Sequence, residues 1–239
     1  KKIPTSEFNL YDDAQDIKLA IKTQKLNYPF VQKSRLAGYD GKGVAVIRSE
    51  HDVEKLMSVP SVIEDLVNID KELAIIIAKN KNGETKQFPL TEMVFNESGN
   101  LLDHLICPST VSDEVLNKCQ SIATQIISEL DMIGILAIEF FLDKTGKVLV
   151  NEVAPRTHNS GHHTIDANIN SQFNLHLRSI LNLSLGNTDS IKPSVMLNLL
   201  GEPEHTGKPY YEGLKDVLTI DGVFPHIYGK KLVKPLRKM

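Results

Sequence analysis

The sequence predicts an α+β fold, one large domain followed by a small, mainly β one. Three observations carry that prediction. Helical periodicity is confined to a few separated stretches, strands come in adjacent pairs joined by turn residues, and after Leu183 the chain changes to short strands and turns with frequent proline and glycine. A boundary near Gly186 divides the chain into 1–186 and 187–239. At 239 residues such a chain can bury a substantial core without disulfide or metal support.

The elements follow in order. Asp12 to Leu26 reads as an amphipathic helix, opened by acidic residues, with Ala14, Ile17, Ala20 and Ile21 on one face. Tyr28 to Lys33 reads as a strand, Arg35 to Gly43 as a glycine-rich turn, and Val44 to Ile47 as the strand that returns from it. This loop runs strand to strand, unlike a Walker loop, which runs strand to helix. A short helix near Val53 to Met57 precedes strands at Ser61 to Val67, Leu73 to Ala78 and Lys86 to Phe95, the last two joined by a turn at Asn82-Gly83. Ser112 to Leu130 is the clearest helix: Ser112, Asp113 and Glu114 open it, and Val115, Ile122, Ile126 and Leu130 line one side. Strands Gly134 to Leu142 and Val148 to Ala154 flank a turn at Asp143 to Gly146, and Ser171 to Leu181 makes another helix.

Composition excludes several classes. Apolar residues at 41% and charged residues at 24% belong to an ordinary globular protein. A formal charge of −3 offers no general attraction to nucleic acid or anionic lipid, so neither is expected as a partner and any phosphate site must be local. Cys107 and Cys119 lack metal-ligand spacing and are too few for a disulfide framework, which favours the cytoplasm. There is no apolar run of membrane-spanning length and no signal peptide, and the chain opens at Lys1 without a methionine, as a fragment would.

Two segments carry carboxylates into apolar strands. GILAIEFFLD holds Glu139, and KVLVNEVAP holds Asn151 and Glu152. With Lys144 to Lys147 as the loop, Asp143 pairs with Val148 and Glu139 falls opposite Glu152. Like charges opposite one another are destabilising unless a cation lies between them, and hard oxygen ligands suit magnesium. The plainer alternative places one glutamate in solvent. Upstream, Lys33, Arg35 and Lys42 surround Gly38, Gly41 and Gly43, whose freed amides suit phosphate oxygens; alone, this is equally well a surface hairpin. The segment VIEDLVNIDKELAII fits a hinge against a nucleotide base, with Glu72 available to ribose hydroxyls, or an ordinary edge strand.

The run from Arg156 to His163 is dense in polar groups and has no apolar period. Zinc at His158 and His162 is one reading, weakened by Gly161 between them and by the lack of a nearby cysteine. The favoured reading gives Arg156 a small planar anion such as bicarbonate, with His158 and Asn159 to orient it or shuttle its proton. One or both of His162 and His163 can equally cap the following helix.

These segments carry a family resemblance. IPT, KSRLAGYDGKG, IEDLVNIDKELAII, IEFF, NEVAPRTHNSGHHTID with SQFNLHLRSILNLSLG, and YGKKLVKPLRKM together resemble the 5-(carboxyamino)imidazole ribonucleotide synthases, ATP-grasp carboxylases of purine biosynthesis. NEVAPRTHNSGHHTI is the most specific stretch. The resemblance implies an ATP-grasp fold, two α+β subdomains gripping ATP, and a reaction in which bicarbonate becomes carboxyphosphate and then carboxylates the exocyclic amine of aminoimidazole ribonucleotide. It implies that ATP is bound by Lys33, Gly38, Tyr39, Asp40, Gly41, Lys42, Gly43, Glu64, Val67, Glu72, Asn151 and Glu152, and magnesium by Glu139 and Glu152. Arg156, His158 and Asn159 would act on bicarbonate, and Tyr39, Asp40, Lys230 and Arg237 would hold the ribonucleotide. It further implies a homodimer, hand-over of product to the carboxyaminoimidazole ribonucleotide mutase, and an N-terminal domain of roughly one hundred residues, absent from this chain. Two positions depart from the pattern: Phe95 stands where a histidine near ATP is common, and Thr157 where proline is usual. The rivals are another ATP-grasp ligase, such as the formate-dependent glycinamide ribonucleotide transformylase, and an ATP-binding module without catalysis.

Overall fold

The computed structural model describes residues 3–36, 43–95 and 102–239. Two antiparallel sheets organise it. The smaller has four strands in the order β1-β4-β2-β3, formed by β1 (Phe8–Tyr11), β2 (Phe30–Ser34), β3 (Val44–Ile47) and β4 (Ser61–Asp65). Helix α1 (Ala14–Lys22) covers one face; the Asp13 carboxylate caps it by accepting from the Gln15 and Asp16 amides at 2.7 and 3.0 Å. Ile17 and Ala20 of α1 pack on Phe30, Ile47 and Ile63. Strand alternation therefore turns Lys33 and, on β4, Glu64 to the opposite face, away from α1. A 3₁₀ turn at Glu50–Lys55 occupies the place of the helix expected at Val53 to Met57.

The larger sheet has seven strands: β5 (Ile69–Lys79), β6 (Thr85–Gln87), β7 (Thr91–Phe95), β8 (Leu102–Cys107), β9 (Gly134–Asp143), β10 (Val148–Ala154) and β11 (Ser194–Leu197). The order is β10-β9-β5-β7-β8-β11, with β6 on β5. The single strand expected over Lys86 to Phe95 is broken into β6 and β7 around Pro89, which has no amide to donate to a ladder. Helix α2 (Asp113–Glu129), capped by Ser112, buries Cys119, Ile122, Ala123, Ile126 and Ile127, a stripe at helical spacing. That stripe packs on Leu73, Ile75, Ile77, Leu136, Ile138 and Phe140. Fully burying each such side chain contributes about 1.5–3 kcal/mol, so this interface is a main source of stability.

The opposite face of the sheet positions the site. Ile76, Ala78, Ile135, Ala137 and Ala154 lie under Leu175 of helix α4 (Gln172–Ile180). Further along β9 the same face carries Glu139. A 3₁₀ turn at Asn159–Gly161 and the short helix α3 (Thr164–Ala167) connect β10 to α4. Beyond α4, β11 pairs with β8, and a last short helix, α5, spans Leu214–Val217. No helix of the described residues is long and apolar enough to cross a membrane.

Candidate functional site

The site begins with an irregularity in the β9–β10 hairpin. Glu139 does pair with Glu152, as expected, but by a different route. The ladder starts one residue out of the expected register, at Leu142↔Val148, because Asp143 is spent on the turn: its carboxylate accepts from the Thr145 amide at 2.8 Å, the Thr145 hydroxyl at 2.6 Å and the Lys147 amide at 2.9 Å. A bulge between Val150 and Glu152 then absorbs one extra residue. Val150 faces α2, so plain alternation would send Glu152 into the same core. The bulge moves it to the other face, opposite Glu139 and next to the Ala154↔Ala137 pair.

Three carboxylates share that face. Glu72 pairs with Phe141 and Ala74 with Glu139, which makes Glu72 a diagonal neighbour of Glu139. Burial, then the charges of Glu152 and Glu72, push the Glu139 carboxyl up to about 8, against weaker relief from Lys238 and the Asn151 amide. Burial likewise lifts Glu72 to about 7, with Lys33 opposing it. Lys33 crosses from the small sheet: its Nζ lies 2.9 Å from Glu64 Oε2 and donates to Asn151 Oδ1 at 2.9 Å. The space between the sheets is thus spanned by one lysine that ties Glu64 to the bulge.

The His158 imidazole completes the cluster, its Nε2 3.7 Å from Glu139 Oε1. Glu139, Glu152 and His158 each present a ligating atom within 4.8 Å of the others. Two opposed carboxylates, one held well above its ordinary range by burial and then by the charge of the other, fit a divalent cation of magnesium type. His158 suits a different role. The Ser160 hydroxyl lies 2.9 Å from its Nδ1, and the Ser160 amide, which can only donate, points at the same atom from 3.4 Å; the tautomer that accepts both has its ring proton on Nε2, on the side of Glu139. His158 is then a donor beside the cation site.

The residues after it are folded back on themselves. Arg156 is exposed and donates from Nη1 to the Thr157 carbonyl at 3.1 Å. Asn159 Nδ2 is buried with no partner among the described residues, a donor left over for a ligand. His162 does not join the metal cluster: its ring stacks on Phe173 at 6.0 Å, and Tyr228 Oη lies 3.3 Å from its Nδ1. The structure thus brings Lys33, Glu64, Glu72, Glu139, Asn151, Glu152 and His158 together, with Asn159 next to His158 in the chain, while Val67 lies in the connector between β4 and β5. Gly43 enters β3 at φ +83°, whereas Gly38, Tyr39, Asp40, Gly41 and Lys42 lie outside the described residues. Lys230 and Arg237 are both exposed, and the Lys230 ammonium donates to the Lys238 carbonyl.

The sequence reading missed Lys238, which acts electrostatically on both Glu139 and His162, and His226, which lies 2.7 Å from Asp166. Lys238 sits in a run of cations with nothing in the pattern to separate it from its neighbours. The His226–Asp166 pair and the Tyr228–His162 contact hold the C-terminal segment against the stretch that follows His158.

The ATP-grasp domain family matches residues 1–173, and the phosphoribosylaminoimidazole carboxylase C-terminal domain matches residues 194–239. The chain is similar to N5-carboxyaminoimidazole ribonucleotide synthase of Bacillus subtilis, 36% identical over 236 residues, covering 97% of this chain and 60% of that protein. It is also similar to phosphoribosylaminoimidazole carboxylase of Saccharomyces cerevisiae, 35% identical over 237 residues, covering 95% and 41%. Among solved structures, N5-carboxyaminoimidazole ribonucleotide synthetase from Thermotoga maritima matches with a TM-score of 0.87 at 40% identity, covering 99% of this chain and 61% of that one. The Aspergillus clavatus N5-carboxyaminoimidazole synthase, solved in complex with ADP and 5-aminoimidazole ribonucleotide, matches with a TM-score of 0.86 at 30% identity, covering 99% and 63%. The chain therefore spans about three fifths or less of the length of these relatives.

Proposed function

The chain belongs to the ATP-grasp family, and from that premise we propose that it forms the nucleotide- and bicarbonate-handling part of an N5-carboxyaminoimidazole ribonucleotide synthase. The reaction is the ATP- and bicarbonate-dependent carboxylation of 5-aminoimidazole ribonucleotide in purine biosynthesis. The observation that carries this reading is the bulge that sets Glu152 opposite Glu139 with the His158 ring beside them. Similarity over both the ATP-grasp segment and the carboxylase C-terminal segment narrows the substrate.

Chemically, a bicarbonate oxygen attacks the terminal phosphorus of ATP, ADP leaves, and the carboxyphosphate so formed breaks down to carbon dioxide and phosphate. The exocyclic amine then attacks the carbon and loses a proton as the carbamate forms. In this reading Lys33 and Gly43 serve the phosphates, and Glu64, Val67 and Glu72 serve the nucleoside. Glu139 and Glu152, with Asn151 beside them, are the residues to hold magnesium, which when bound neutralises charge on the phosphate oxygens. Arg156, the orphaned Asn159 amide and the Nε2 proton of His158 offer donors to bicarbonate, and preorganised donors cost no reorganisation when charge develops. The resemblance assigns Lys230 and Arg237, with Tyr39 and Asp40, to the ribonucleotide. It extends to a cytoplasmic homodimer that hands its product to the mutase.

The test is phosphate release from ATP by the full-length protein with aminoimidazole ribonucleotide and labelled bicarbonate, and with glycinamide ribonucleotide and formate as the control pair. Stimulation by the first pair with label in the product is expected. Stimulation by the control pair alone would replace the substrate; ATP binding without either would leave a non-catalytic module.

A further inference from the structure

Gln172, the first residue of α4, has no polar role on the helix itself and is fully buried. Its side-chain amide reaches across to the loop after β10 and holds both backbone polar groups of His158. The His158 amide donates to Gln172 Oε1 at 2.8 Å, and Gln172 Nε2 donates to the His158 carbonyl at 2.7 Å. The grip is itself fixed: the Gln172 amide donates to Thr164 Oγ1 at 2.9 Å, and that hydroxyl donates to the Gly161 carbonyl at 2.6 Å.

A second, independent observation comes from Gly161. A methyl group there would stand 2.6 Å from Gln172 Oε1 and 2.7 Å from its Cδ. Glycine is required here because the amide passes against the backbone, and φ does not enter. Ordinarily the far end of a glutamine would move aside, but this one is held by both of its bonds to His158.

We propose that Gln172 is the positioning residue for His158: it fixes the backbone of the one residue whose ring faces Glu139, and so sets where the Nε2 proton points. Both side-chain hydrogen bonds of Gln172 go to His158, so His158 is the residue through which it acts on the acid face. The inference rests on the carboxylase reading, in which His158 serves bicarbonate.

The test compares wild type and Gln172→Leu in the full-length protein. Because displacement by about 1 Å near the chemistry lowers rate by roughly 10²-fold, kcat for carboxylation is expected to fall by about that factor, with KM for ATP unchanged. The ¹⁵N shifts of the His158 ring should move with it, away from the pattern of an Nδ1 acceptor, while the thermal transition stays cooperative. If Gln172→Leu does not fold, Gly161→Ala carries the test, since its methyl displaces the same amide, and Gly161→Ala with Gln172→Ala should be no worse than Gln172→Ala alone. A folded variant of either kind that keeps wild-type kcat, or loses ATP affinity in step with kcat, overturns the inference. Wild type that fails to respond to bicarbonate and aminoimidazole ribonucleotide overturns the carboxylase reading instead, and the ring shifts then still report whether Gln172 orients His158.

Discussion

His163 gives a direct route to the energetics of the loop. It is 7% exposed, and neither ring nitrogen has a hydrogen-bond partner among the described residues. Burial holds the ring neutral down to about 4, against an ordinary value of 6.5; the nearby Ser160 carbonyl favours the proton without closing a well-aligned bond, and His162 disfavours it. The folded-state pKa is depressed below the unfolded one, so between 6.5 and about 4 the unfolded chain binds a proton that the folded chain refuses. Stability is therefore fully present above 6.5 and is lost as pH falls toward 4. At 1.36 kcal/mol per unit, the loss between pH 7.5 and pH 5 is about 2 kcal/mol. His163→Leu removes this contribution and no other titration. Urea denaturation of wild type and variant at both pH values should show the stability difference shifting by about 2 kcal/mol in favour of the variant at pH 5, whatever its sign at pH 7.5. Two curves that stay parallel across that range would refute the assignment of a buried neutral ring.

Other substitutions test other parts of the structure. Glu152→Gln should abolish magnesium binding measured by calorimetry while raising the melting temperature of the metal-free protein, because the carboxylate opposite Glu139 is gone; unchanged metal affinity would remove Glu152 from the cation site. Asn80→Ala should destabilise by about 1–3 kcal/mol in chemical denaturation, since it leaves the Leu183 carbonyl and the Glu84 amide unpaired at a 1% exposed position. Gly83→Ala should cost about 1 kcal/mol through its φ of +85° alone, because nothing lies within 4 Å of the added methyl. An effect well above that would mean the turn carries more than backbone strain.

The large elements were legible where one physical rule dominates. The stripe of α2 showed at Ile122 and Ile126 because a helix with one buried face must repeat apolar residues at its own period, whereas Leu130, expected on that side, is exposed at the helix end. Strand β1 left no signal: Phe8, Asn9 and Leu10 are all exposed on an edge, so no alternation was imposed. The pairing of Glu139 with Glu152 was reached from an assumed loop length whose error the bulge at Asn151 cancels, so the sequence carried the residues and not the route. Gln172 was invisible for another reason. Its task is to satisfy two backbone groups 14 positions away, and nothing in local pattern marks a glutamine for that.

The bulge has a consequence for how this hairpin tolerates change in length. Side-chain direction in a strand is a parity, odd or even, and Asn151 is the one residue that resets it between Val150 and Glu152. What places the carboxylate in the cleft is thus the parity of the pairing, separate from the identity of any residue in it. Deleting Asn151 leaves Val150 and Glu152 adjacent, so plain alternation keeps the acid opposite Glu139 and removes only the amide that accepts from Lys33, whereas flattening the bulge with the count unchanged would turn Glu152 toward the α2 core. Magnesium calorimetry on the Asn151 deletion should therefore still find the paired acids, and loss of binding there would show that the bulge does more than set side-chain direction.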